Sequence, residues 1–369
     1  MIQDSINVRG NNRKYYLDYL KLFLVFLVII HHSLEAYSIN SQWRYKDSVT
    51  VGWLERIHTV NMTFFMGLFF FISGYFIVNS YKSRGTREFV LNKAKRLLLP
   101  VIFILSVIVP TYFYFIEYFA NGLNKSYFDY YLNVYLGTGI ISYEHGWFLV
   151  SLFMYSMLFL LFTKIISEKT IKKVGQLNYK KLLIIIAIMS ILTAIVSSIY
   201  EYDQWIRLFG IIGLEPIHLP QYLIMFIVGI IAFKNKWLDQ ITTKLGWTSV
   251  TIGLIMSSII YLNRYLPDEF INTIYSLFFI YEPIMCVSIC IALLFIFKKY
   301  FNKENKIFVT LSQCSFGVYI CHNLFIVSMQ LFLGEYEMLA TLKFIIVTIC
   351  SAIMSFLAVY LVRRIRNMF

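Results

Sequence analysis

Lys21 and His32 lie eleven positions apart in an apolar stretch, DYLKLFLVFLVIIHHSLEAY, running from Asp18 to Tyr37. In a helix turning about 100° per residue, eleven steps come within about 20° of a whole number of turns, so the two side chains share one face. At about 1.5 Å rise per residue they stand roughly 16 Å apart along the axis. A cation and an imidazole on one stripe of a membrane-length helix are costly unless that stripe lines a cavity. Such a cavity suits a long molecule with an anionic end. An imidazole is also the side chain best matched to general-base work near neutral pH, and Glu35, three residues on, is spaced to orient its ring. Elsewhere, Lys93 and Arg96 are spaced i, i+3, and Ser315, Tyr319 and His322 repeat at i, i+4, i+7 as one polar stripe. Glu282 stands before Pro283 in another apolar run.

The elements that position these groups are membrane spans. Of 369 residues, 59% are hydrophobic and 14% charged, with mean hydropathy +0.67, which indicates a polytopic membrane protein. Ten runs are long enough to cross about 30 Å of hydrocarbon: approximately 17–37, 57–79, 98–119, 147–166, 181–200, 219–234, 247–263, 271–297, 308–331 and 341–362. The gaps at about 38–56, 120–146 and 201–218 are loop-sized, so the expectation is an all-α single membrane domain over 1–369, with 1–15 as a cytoplasmic tail. Net charge is +13, but the basic residues sit in short tracts between apolar runs and read as topology signals, not as a nucleic-acid surface. With the N-terminus inside, inner segments hold twenty-five Lys and Arg, including Lys82, Lys172 and Lys298. The outer loops hold six: Arg44, Lys46, Arg56, Lys125, Arg207 and Arg264. That asymmetry predicts an even number of spans with both termini cytoplasmic. No cleavable signal peptide is expected, because the first apolar run is too long and lacks a small-residue cleavage pattern. The five cysteines lie inside apolar runs and read as packing residues, and no metal-ligand spacing is evident, so no metal is expected.

Five short motifs then occur in order. The first helix carries Lys21, ten residues, then His32. LFFFISGYF spans Leu68–Phe76, its Ser73-Gly74 pair allowing close approach of a neighbouring helix. Lys93 and Arg96 precede Leu97-Leu98-Leu99-Pro100, the proline being tolerated near a helix start. HGWFL covers His145–Leu149, and SFGVYICH covers Ser315–His322. In this set and order the chain resembles the acyltransferase-three family of integral membrane acyltransferases, in the branch that includes glucan biosynthesis protein C and fucose O-acetylase-like proteins. Relatives carry arginine where this chain has Lys21 and Lys93. Lysine keeps the phosphate-binding point charge and loses the bidentate fork. His32, not His31, keeps the family spacing and the face shared with Lys21.

The resemblance implies transfer of an acyl group, usually acetyl, from cytoplasmic acyl-CoA to a sugar hydroxyl on a cell-surface or lipid-linked glycan, in a bacterial cytoplasmic membrane. Lys21, Lys93 and Arg96 would hold the donor's phosphates, His32 would be the base and Glu35 its partner. His145, Trp147, Glu282, Ser315, Tyr319 and His322 would border the acceptor. Bland readings stand beside these. His32 equally reads as a buried histidine bonded to a neighbouring helix. Lys93 and Arg96 read as positive-inside residues, and Trp147 as an interface aromatic. Ser315, Tyr319 and His322 read as interhelical glue, and Glu282 either as a pore residue or as part of a kink. The competing function is export or flipping of polysaccharide or lipid-linked sugar, which has no evident need for a phosphate-binding trio.

Overall fold

The computed structural model describes residues 13–41, 43–137, 144–165, 174–202, 204–208 and 212–366. Of the tracts used above, 1–12, Lys172 and part of the loop 120–146 fall outside the described residues. Among the described residues, ten helices are long and apolar enough to cross a membrane. They are α1 (Tyr15–Glu35), α2 (Gly52–Lys82), α3 (Thr86–Ala120), α4 (Glu144–Thr163), α5 (Tyr179–Ser197), α6 (Pro216–Lys234), α7 (Thr243–Tyr261), α8 (Phe278–Tyr300), α9 (Lys306–Gly334) and α10 (Ala340–Arg366). The chain is thus an all-α polytopic membrane protein, with one small hairpin, β1 (Ile206–Leu208) paired antiparallel to β2 (Ile212–Leu214), in the loop before α6.

Three boundaries differ from the sequence expectation. Helix α3 begins at Thr86, not near residue 98, so Lys93, Arg96 and Pro100 all lie within it and Pro100 is an interior proline. The early start has a cause in Phe89, Lys93 and Leu97, which recur every four residues and are all buried, giving this basic stretch a face to pack. The run 271–297 divides at Leu277 into a short helix, Asp268–Ser276, and α8. Helical turns at 127–135 occupy part of the gap expected to be loop.

The chain divides into two compact units. The first comprises the chain up to Leu20, Val60–Leu98 and Phe148–Glu304. Its tightest contact joins the Phe65–Lys82 part of α2 to α6. A Cβ at Gly74 would fall 2.0 Å from the Phe226 carbonyl oxygen, and one at Gly229 2.1 Å from that of Phe71. The two backbones therefore touch where only glycine fits, the interface geometry favoured between membrane helices. Helix α2 breaks at Thr63 and Phe64, and the carbonyls released there are not left bare. Gln221 Nε2 donates to Thr63 O at 2.9 Å, and Cys290 Sγ lies 3.9 Å from Phe64 O.

The second unit comprises Lys21–Thr59, Leu99–Trp147 and Asn305–Phe369. Here α9 packs on α10 and on the Val109–Phe115 part of α3. Pro110 follows a wide turn at Ile104–Ile108, an adjustment expected where proline removes a donor. This unit holds the end of α1.

Candidate active site

Five of the chain's six histidines gather in the second unit, around the last turn of α1. His32 Nδ1 lies 2.7 Å from Glu35 Oε2, the contact that i, i+3 spacing allows. Glu35 Oε1 is 3.7 Å from Nε2 of His58, which stands on the first part of α2. The His58 ring stacks on His31, with centroids 4.3 Å apart. On its other side the His32 ring stacks on Trp43 at 5.2 Å, and His322 from α9 approaches to 5.3 Å. His31 is buried, whereas the His32, Glu35 and His58 side chains keep 21%, 14% and 25% exposure, enough for a small solute to reach them.

Helix ends leave their last four carbonyls without intrahelical partners. Each of these four in α1 is taken up. Tyr37 N donates to Leu34 O and Ser38 N to Glu35 O. Gln330 Nε2, from α9, reaches both His32 O (3.2 Å) and Ser33 O (3.3 Å). Gln330 Oε1 in turn accepts from Trp43 Nε1 at 2.9 Å. One side chain thus fixes the helix end that carries His32 and the indole that stacks on it.

The loop carrying Trp43 is anchored at several points. Asp47 N donates to Ala36 O and Val51 N to Tyr37 O. Lys343 Nζ sits 3.0 and 2.8 Å from the two Asp47 oxygens, both side chains being 1% exposed. Arg44 holds Glu144 at 2.9 Å. Burial, followed by the Asp47 and Glu335 carboxylates, pushes the Tyr45 phenol up to about 12, so the loop's tyrosine remains neutral.

His145 on α4 and His322 on α9 are both buried, and their tautomers follow from their partners. His145 Nε2–H donates to Ile320 O (3.0 Å), leaving Nδ1 to accept from Asn323 Nδ2 (3.0 Å). The Tyr319 hydroxyl donates to His145 O. His322 Nδ1–H donates to Tyr319 O (2.8 Å), so Nε2 carries a lone pair, and it makes no hydrogen bond among the described residues. Ser315 Oγ lies 3.4 Å from Leu311 O on its own helix.

Of the residues singled out from sequence, His32, Glu35, His145, Tyr319 and His322 are brought together here. Trp147 begins the long segment of α4, two residues after His145. Lys21 is buried on α1 in the second unit, while Lys93, buried, and Arg96, half-buried, lie on α3 in the first. Glu282 also belongs to the first unit, where its Oε1 is 3.0 Å from His218 Nδ1. Glu215 Oε1 is 3.3 Å from the other ring nitrogen. Both carboxylates are committed to that imidazole. His31 was weighed in the sequence and set aside in favour of His32, whereas His58, Trp43, Gln330 and Asn323 escaped the sequence reading. Of these four, His58 carried a signal, as an imidazole near the start of a membrane helix.

Comparison with curated proteins and with solved structures gives no match. A family profile described as an acyltransferase domain does match, over residues 14–364. That match takes in nearly the whole chain, including both units and every residue of the histidine cluster. The chain belongs to the acyltransferase-three family of membrane acyltransferases.

Proposed function

We propose that the protein moves an acyl group, in the first instance acetyl, from acyl-CoA to a hydroxyl of a cell-surface or lipid-linked glycan in a bacterial cytoplasmic membrane. The observation carrying this reading is the His32–Glu35 contact of 2.7 Å in a family acyltransferase. With Nδ1–H donated to the carboxylate, the neutral ring keeps its lone pair on Nε2, the arrangement a general base needs. Nε2 takes the proton of the acceptor hydroxyl as its oxygen attacks the thioester carbonyl. The tetrahedral intermediate collapses, the carbon–sulfur bond breaks, and the imidazolium returns the proton to the departing thiolate. Glu35 balances the ring's charge while it is protonated. Lys21, Lys93 and Arg96 are the cations proposed to hold the donor's phosphates, a role that suits point charges on otherwise apolar helices.

The test is mass spectrometry of ester-linked acyl groups on surface glycans from strains carrying wild type, His32→Ala or an empty vector. Wild type is expected to add acyl mass, which also names the donor, and His32→Ala to yield the same amount of polymer without it. Equal decoration by wild type and variant removes His32 as the base. A change in exported polymer with no change in acylation replaces transfer by export.

A further inference from the structure

The end of α1 presents more ligand atoms than one base and its partner require. His31, His32 and Glu35 each offer a nitrogen or oxygen within 4.8 Å of the others. His58, on α2, adds a third imidazole, 3.7 Å from Glu35 Oε1 and stacked on His31 at 4.3 Å. The spacing on α1 has a geometric reason. Positions 31 and 32 point about 100° apart, and position 35 lies between them, at i+4 from one and i+3 from the other. Three imidazoles and one carboxylate suit a borderline-soft ion of the late first-row series, whereas Mg2+ and Ca2+ prefer oxygen.

We propose that His31, His32, Glu35 and His58 bind a divalent transition ion of the Zn2+ class, and that the bound ion stops acyl transfer by occupying the base. Metal–nitrogen bonds of about 2.0–2.1 Å place tetrahedral ligand atoms about 3.3 Å apart. The 2.7 Å His32–Glu35 contact would open slightly, the wider separations would close, and the His58 ring, stacked on His31, would turn to aim a nitrogen at the ion. The ion takes the place of the proton between His32 Nδ1 and Glu35, and that proton moves to Nε2, so the metal-bound ring has no lone pair left for the acceptor hydroxyl and one pair of side chains serves either as catalyst or as metal site. Partial exposure of His32, Glu35 and His58 supplies the ion's route of entry.

The binding claim stands by itself, and only the loss of transfer rests on His32 being the base. Full-length protein in detergent, stripped with chelator, is titrated with Co2+ and then challenged with Zn2+. Saturation near one ion per chain, with the visible absorption of low-coordinate cobalt and its loss to zinc, is expected. His31→Gln and His58→Gln, each checked by thermal unfolding, should weaken binding at least about tenfold. Absence of a saturable cobalt spectrum, or binding unmoved by both variants, overturns the site. In the glycan-acylation assay, Zn2+ should suppress transfer and a chelator restore it. Zinc bound at the site with transfer undiminished overturns the blocking role. Metal binding in a protein that transfers nothing supports the site and sinks the acyl-transfer reading instead.

Discussion

His32 and His218 each face a glutamate three residues away, one in each unit of the molecule, yet their surroundings differ in a way that separates a tool from a fastener. His32 gives one nitrogen to Glu35 and keeps the other, with 21% of its side chain exposed. His218 lies between Glu215 and Glu282, its two ring nitrogens 3.3 and 3.0 Å from their carboxylate oxygens, with all three side chains no more than 5% exposed. General-base catalysis needs a lone pair that a substrate can reach. A closed imidazole between two carboxylates has none, and ties the start of α6 to α8. An ionisable residue within a membrane helix is a functional candidate by default. This pair shows that the useful question is which ring nitrogen remains uncommitted.

The largest expected effect breaks the comparison on the catalytic side. His32→Ala should lower acyl transfer by about 10²–10⁴-fold, the range a general base contributes, without lowering the midpoint of thermal unfolding by a comparable amount. His218→Gln should do the reverse, losing stability while turnover per folded molecule is retained. Abolished turnover in a well-folded His218→Gln would end the distinction. Next in size is Glu282→Gln. Removing one partner of a buried ion pair costs about 3–5 kcal/mol, to be read by unfolding in detergent. The Asp47–Lys343 pair allows a cleaner form of the same test, being a single pair at 1% exposure. Lys343→Met should cost about 3 kcal/mol, and Asp47→Asn added to it should recover most of that loss, because the uncompensated charge is then gone. No recovery in the double variant would mean that the loop depends on the ion pair itself.

How far these features could be read in the sequence depends on how locally each is encoded. The ten spans were legible because hydropathy over about twenty residues is a local property. The His32–Glu35 contact was legible because i, i+3 neighbours on a helix meet wherever the helix lies. The start of helix α3 was misjudged by twelve residues, about three turns, since Thr86–Leu97 is amphipathic and not apolar. Its periodic Phe89, Lys93 and Leu97 would have revealed it to a search for period, not for bulk hydropathy. Gln330 was out of reach for a different reason. Nothing in QLFLG says that an amide about three hundred residues from His32 will cap the helix bearing it. Glu282 was legible as an intramembrane acid, but its partner His218 comes from another helix, so sequence could not tell a pore residue from a fastener.

The smallest predicted effect tests how the exposed imidazole is held. Trp43→Phe keeps an aromatic ring beside His32 and removes only the Nε1 donor to Gln330, a bond of 2.9 Å. Gln330 remains free to cap His32 O and Ser33 O, so the helix end should survive. A net hydrogen bond is worth about 1 kcal/mol, and if the loss falls wholly on orientation in the transition state it corresponds to roughly a fivefold fall in kcat. KM for the donor should change little. Gln330→Ala should be the more damaging variant, because it leaves two helix-end carbonyls without their side-chain donor. If Trp43→Phe matched wild type while Trp43→Ala lost activity, stacking alone would position the ring. If Trp43→Phe fell as far as His32→Ala, the indole would be touching substrate, and the uncommitted nitrogen would no longer be sufficient ground for proposing this histidine, and not His218, as the base.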